Sequence, residues 1–164
     1  MYYFAYGSNM SVSRLQERVP SAIHLGCYSL KEHDLRFHKF GQDESAKCDA
    51  YFTANSLDII YGALFKINPK EKPSLDKAEG LGHGYEIKEV TITATDGSLI
   101  QAMTYIASHI DETIKPFSWY MNHVLIGAQE TSLPSEYIQS KMHSIETIED
   151  ENKKRDKQQR AIHS

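Results

Sequence analysis

Cysteine is scarce. Only Cys27 and Cys48 occur in 164 residues, without a second pair or clustered histidines, so neither a disulfide framework nor a zinc site is indicated. Two reduced, structural thiols are the simpler reading. Long apolar runs are also missing: Val124–Ile126 and Ile59–Tyr61 fall far short of the roughly 20 residues that span a bilayer, so no membrane partner is expected. There is no surplus of positive charge. Acidic residues outnumber Lys plus Arg by 22 to 18, for a net charge of -4, which offers no electrostatic basis for gripping a phosphate backbone, and nucleic acid is not expected as a partner. No basic leader precedes Met1–Tyr6, and a glycine follows almost at once, so these residues do not read as a secretory signal. A cytoplasmic address is the default, and the sequon Asn9-Met10-Ser11 then has no route to glycosylation.

Catalytic signatures are absent as well. None of the eight histidines lies in an H-E-x-x-H or Cys-His cluster, and no serine lies in a G-x-S-x-G elbow. Gly80, Gly82 and Gly84 fit neither the dinucleotide fingerprint nor the P-loop, so nucleotide binding is disfavoured, and metal and serine-triad mechanisms have no support in the sequence.

What is present is an ordinary globular composition, 40% hydrophobic and 24% charged, enough for one domain with a real core. Tyr2–Ala5 reads as a strand that ends at Gly7. A helix over Ser11–Val19 follows, with Ser13 and Gln16 as a capping pair and Pro20 as the stop. Within Gly26–Phe40, Leu35 and Phe37 alternate with Arg36 and His38, which predicts a half-buried strand followed by an exposed loop, with a pairing strand around Phe52. Ile59, Tyr61, Ala63, Phe65 and Ile67 form a period-two row that stops at Asn68-Pro69.

Pro73 suits a first helical position and Gly80 the residue past a helix end, which places Glu79 at a C-terminus. Tyr85–Ala94 and Leu99–Ala107, joined by Thr95-Asp96-Gly97-Ser98, read as a hairpin. Pro116 opens a helix to about Gln129. Leu133-Pro134 restarts another, with Ile138, Met142 and Ile145 on one face. Strands early and helices late predict an α+β domain, a mostly antiparallel sheet or barrel covered at one end by helices. Residues 1–145 form that domain. Residues 146–164 are a polar extension, helical or disordered, to which no chemistry is assigned.

Two places suggest chemistry. Tyr6-Gly7-Ser8-Asn9 ends a strand before a helix and can turn several N–H groups toward an anion, although the same residues suit a plain helix cap. Glu79 faces the negative end of its helix dipole, which should favour the protonated form and suit it to general acid-base work, although most such residues are simply solvated. Tyr120, beside Trp119, offers a phenol in a position that is more often core.

Taken together, Tyr3–Asn9, the segment Ser74–Gly80, Tyr120 with Gly127-Ala128, and Leu133–Tyr137 resemble the γ-glutamylcyclotransferase family in order and spacing, from the first residues to about Ile145. The resemblance implies a small, mostly antiparallel β-barrel flanked by helices. It also implies conversion of a small-molecule γ-glutamyl substrate to 5-oxoproline with release of an amine or amino acid, without a cofactor. Carried over by position, Glu79 matches the family's catalytic glutamate. Tyr3, Phe4, Ala5, Tyr6, Gly7, Ser8 and Asn9 match the substrate-binding loop, and Tyr85 and Tyr120 match tyrosines of the pocket. A non-catalytic module that senses γ-glutamyl ligands stays open at this stage, as does the same chemistry on a γ-glutamylamine or a γ-glutamylated biosynthetic intermediate. Monomer and homodimer are both left open.

Overall fold

The computed structural model describes residues 1–164. Five strands close a barrel in the order β1 (Tyr2–Ala5), β5 (Ile59–Lys66), β2 (Ile23–Lys31), β6 (Tyr85–Ala94) and β7 (Leu99–Ala107). All pairings are antiparallel except the closing one, where β1 meets β7 in parallel at Tyr3 and Met103. The short N-terminal strand is therefore held on both edges, and Met1 N donates to Ile67 O at 3.1 Å. β5 lies between β1 and β2, so the expected alternation gives way to burial on both faces from Gly62 to Phe65. The core on the two faces of the barrel wall and under the helices includes the fully buried Phe4, Leu15, Ile60, Leu64, Phe65, Leu75 and Ile92. The β6–β7 hairpin falls on its expected residues.

The Gly26–Phe40 stretch is not one strand. Glu32 takes φ of 63° and breaks it, so that β2 joins the barrel while β3 (His33–Phe40) leaves to pair with β4 (Ala46–Phe52) in a separate ribbon. Polar groups help dock that ribbon. Asp49 Oδ1 accepts from Ala107 N of β7 at 2.8 Å and Cys48 O from Tyr85 Oη of β6, Ala46 N donates to Lys115 O in the loop after β7, and within the ribbon the other Asp49 oxygen lies 2.7 Å from His38 Nε2. The expected exposed loop after Phe40 is only partly exposed, because Gly41 and Ser45 are buried by this docking.

Helices cover one end: α1 (Val12–Arg18), α2 (Lys72–Glu79), α3 (Ser118–Glu130), α4 (Ser135–Ile138), which runs on into a π-turn over Gln139–His143, and α5 (Lys153–Ala161). The cap of α1 is Ser11, whose Oγ accepts from Arg14 N at 3.4 Å, and not the expected Ser13. A turn at Ser8–Met10 delays the helix, and the hydroxyl that precedes the first helical N–H groups is the one able to reach them. α2 ends at Glu79, with Gly80 in the left-handed region at φ of 72°. Ile138, Met142 and Ile145 pack on the core as one face.

The polar tail docks as a helix. Asp150 is buried, accepts from Trp119 Nε1 at 2.9 Å and holds Arg155 through two contacts of 2.5 and 2.7 Å. A bidentate charged pair fixes a segment that has no apolar stripe of its own. No helix is long and apolar enough to cross a membrane.

Candidate active site

β1 delivers the chain to a buried turn at the covered end of the barrel. Gly7 is needed there for close approach, since a Cβ would sit 2.9 Å from Cys48 Cβ and 3.2 Å from its Sγ. Gly127 plays the matching part on α3: a Cβ there would fall 2.3 Å from Ser11 N, so only a bare backbone lets α3 clamp the turn. Inside the turn, Met10 N donates to Gly7 O and Ser11 N to Ser8 O, while the N–H group of Gly7 donates to no protein acceptor.

Asn9 joins this turn to the end of α2. Its Nδ2 donates to Tyr3 Oη at 3.0 Å and to Glu79 Oε1 at 2.6 Å, and its Oδ1 accepts from Arg18 Nη1 at 2.9 Å. Both amide hydrogens and the carbonyl are thus used. Arg18 also reaches Glu79 Oε1 at 3.1 Å. One carboxylate oxygen is anchored twice, and the other, Oε2, accepts from no protein donor. The side chain keeps 14% of its surface accessible. The helix-end dipole is therefore not the main charge acting on Glu79, because a guanidinium stands beside it.

A small chamber of about 30 Å³ lies between the turn and Glu79, walled by Tyr3, Tyr6, Cys48, Tyr85, Tyr105 and Tyr120. Its phenols are largely committed. Tyr6 donates to Tyr105 O at 2.5 Å, Tyr85 to Cys48 O at 2.5 Å and Tyr105 to Asp76 Oδ1 at 2.5 Å, while Tyr120 Oη accepts from Cys48 N at 3.0 Å. Burial pushes the pKa values of Tyr3, Tyr6, Tyr85 and Tyr120 upward, so these hydroxyls stay neutral. The Cys48 thiol is likewise pushed up to about 12 by burial, which removes it as a thiolate nucleophile.

Outside this chamber a larger basin of about 470 Å³ shares Ser8, Glu79, Tyr85 and Tyr120 with it. Its wall carries Arg14, Arg18, Lys39, Lys47, Lys77 and Arg155.

Of the residues singled out from sequence, Tyr3, Tyr6, Gly7, Ser8, Asn9, Glu79, Tyr85 and Tyr120 surround the chamber. Phe4 and Ala5 do not. Strand alternation turns Phe4 toward Gly62, Ala5 is buried in the wall, and neither lines the chamber or the basin. The tail, given no chemistry, contributes Arg155 and Gln159 to the basin. Sequence reading missed Arg18, Tyr105 and Cys48. Tyr105 carried a signal, the period-two pattern of its strand. Arg18 and Cys48 carried none, because their partners lie 61 and 72 residues away.

The AIG2-like family model matches residues 59–140. A γ-glutamylcyclotransferase of Bos taurus is 32% identical over 151 residues, covering 88% of this chain and 78% of its own. The chain belongs to the γ-glutamylcyclotransferase family. Among solved structures, a γ-glutamyl cyclotransferase superposes on this family member with a TM-score of 0.82 at 27% identity, covering 96% of this chain and 98% of its own. An uncharacterized protein from Homo sapiens gives 0.86 at 27% identity, covering 99% and 98%. The family barrel and its helical cover are thus retained over nearly the whole chain.

Proposed function

We propose that the protein cyclises γ-glutamyl compounds to 5-oxoproline, releasing the amine that the γ-carbonyl had acylated, with Glu79 carrying the protons. The observation that carries this reading is the placement of Glu79 across a small chamber from the Gly7–Asn9 turn, whose Gly7 N–H is unpaired, with one carboxylate oxygen fixed by Asn9 and Arg18 and the other free. The turn suits the α-carboxylate of a glutamyl group, and the junction of chamber and basin selects a folded-back conformer in which the α-nitrogen meets its own γ-carbonyl. The nucleophile is tethered, so orientation lowers much of the barrier.

The α-amino group is mostly ammonium at neutral pH, with a reference value of about 7.7 to 8.0. One proton is lost to solvent before attack. As the new C–N bond forms, Glu79 Oε2 takes the second proton from the attacking nitrogen and delivers it to the departing nitrogen when the old C–N bond breaks. The released amine then takes up a proton from solvent. Atoms balance without a co-reactant. The neutral phenols exclude water and so protect the tetrahedral species from hydrolysis. The two free thiols suit a cytoplasmic setting.

The test is Glu79→Gln, which keeps shape and removes the base. Formation of 5-oxoproline from γ-glutamyl dipeptides, read by mass spectrometry, should fall on the order of a hundredfold or more, with ligand-induced thermal stabilisation retained. Turnover near that of the unmodified protein would remove Glu79 from the mechanism. Stabilisation without product in the unmodified protein would make the chain a binding module.

A further inference from the structure

The outer basin holds more positive charge than the reaction needs. Three of its six cations are matched by carboxylates: Arg18 by Glu79 at 3.1 Å, Lys47 by Asp43 at 2.8 Å and Arg155 by Asp150 at 2.5 Å. Lys77 is exposed. Arg14 and Lys39 are neither matched nor exposed. Arg14 retains 9% of its surface; Nη1 donates to Gln159 Oε1 at 3.0 Å, and its buried Nε has no partner. Lys39 retains 5%, and its Nζ donates to no protein atom, lying instead 4.5 Å from the centre of the Tyr85 ring.

Burying a cation without a counter-charge is costly, and two in one cavity repel as well. Both add to the positive potential at Lys47, whose pKa is lowered to about 8, first by burial and then against the opposing pull of Asp43. The three ammonium and guanidinium groups therefore share a neighbourhood, in a chain whose net charge is -4. This concentration against the overall sign marks a place prepared for an anion.

The two cavities differ in room, about 30 against about 470 Å³, and they meet at Ser8, Glu79, Tyr85 and Tyr120. A glutamyl group held at that junction leaves only the basin for the departing amine. Resting on the cyclisation reading above, we propose that Arg14, Lys39 and Lys47 form an anion subsite for the leaving group, and that the preferred substrates carry two negative charges on that group, an acidic amino acid being the simplest case. A single carboxylate satisfies one of the two unmatched cations; a second anionic group on the same amine satisfies the other.

The experiment compares γ-glutamyl-glutamate, γ-glutamyl-alanine and γ-glutamyl-ethylamine, with two, one and no negative charges on the leaving group. With the unmodified protein, kcat/KM should fall along that series by about tenfold or more from first to last, and the difference should shrink in 0.5 M salt, roughly, as screening rises. Lys39→Met and Arg14→Met, checked for folding by thermal melts, should each lower the ratio of kcat/KM for the first substrate over the last by about fivefold or more. Equal rates on all three substrates, or equal losses on all three in both variants, would overturn the subsite while leaving cyclisation intact. If no substrate gives 5-oxoproline, cyclisation fails. Calorimetric titration with the same compounds then decides the subsite alone: tighter binding of γ-glutamyl-glutamate supports it, and equal affinities overturn it.

Discussion

The chamber beside Glu79 and the basin outside it share four residues yet follow opposite rules. In the chamber, Tyr6, Tyr85, Tyr105 and Asn9 all have partners within the protein, phenols are neutral, and the main charges are one ion pair. In the basin, charge of one sign is in excess, the side chains are long, and two buried cations have no carboxylate paired with them. Side chains held by partners within the protein keep their geometry, which bond-making needs, while Glu79 Oε2 stays free for the ligand. An unmatched cation awaits its counter-charge from a ligand and is suited to choosing among substrates. The chamber is lined by residues of the barrel strands, the turn after β1, β4, α3 and the end of α2, whereas part of the basin wall belongs to the tail helix.

The contrast can be broken most severely at Gly7. Gly7→Val places carbon where Cys48 already sits and should lower kcat/KM by on the order of a hundredfold or more, with a stability loss of about 1–3 kcal/mol in denaturant melts. Asn9→Ala should cut kcat by roughly thirtyfold with a smaller change in KM, because it frees Glu79 to rotate without removing the base. A larger effect on KM than on kcat would move Asn9 from the chamber's chemistry to ligand binding.

Asp150→Asn tests the basin side. Losing the charged pair with Arg155 should cost about 2 kcal/mol and raise KM several-fold with kcat within about threefold, read by melts and steady-state kinetics. Hydrogen bonds from Arg155 hold the Asp150 carboxyl below its ordinary value of 3.8, so the fold favours the ionised form. Its stabilisation is complete above about pH 5 and is lost as pH falls below 3.8, so the Asn variant should show a shallower loss of stability in that acid range. The mildest change is Tyr105→Phe, which removes the contact to Asp76 and should cost about 1 kcal/mol of stability and less than fivefold in kcat.

Much of this architecture was readable along the chain. The β6–β7 hairpin followed from Asp96-Gly97 between alternating runs, α2 from Pro73 and Gly80, and the N-terminal strand from its aromatic residues. These are signals spoken by neighbouring residues. The failures share the opposite property. The break at Glu32 sends the two halves of the Gly26–Phe40 stretch to different sheets, and adjacency in sequence hides the alternation that turns Phe4 away from the chamber its neighbour Tyr3 lines. The tail looked fit only for solvent because its anchor, Asp150 on Trp119 and Arg155, is a charged pair and not a stripe.

By itself the sequence determined the order of elements, the turn that follows the first strand, the helix end that carries Glu79, and the kinship with a family of cyclising enzymes. Those rest on local backbone preferences and on residues a few positions apart. Only the tertiary structure, a closed barrel with a ribbon and helices docked on it, decided that Arg18 would join Glu79, that Cys48 and Tyr105 would wall the chamber, and that cations from α1, β3 and β4 would gather in one basin. Most of these meetings join residues far apart along the chain, and burial between the docked parts, not the pattern of any one segment, holds them in place.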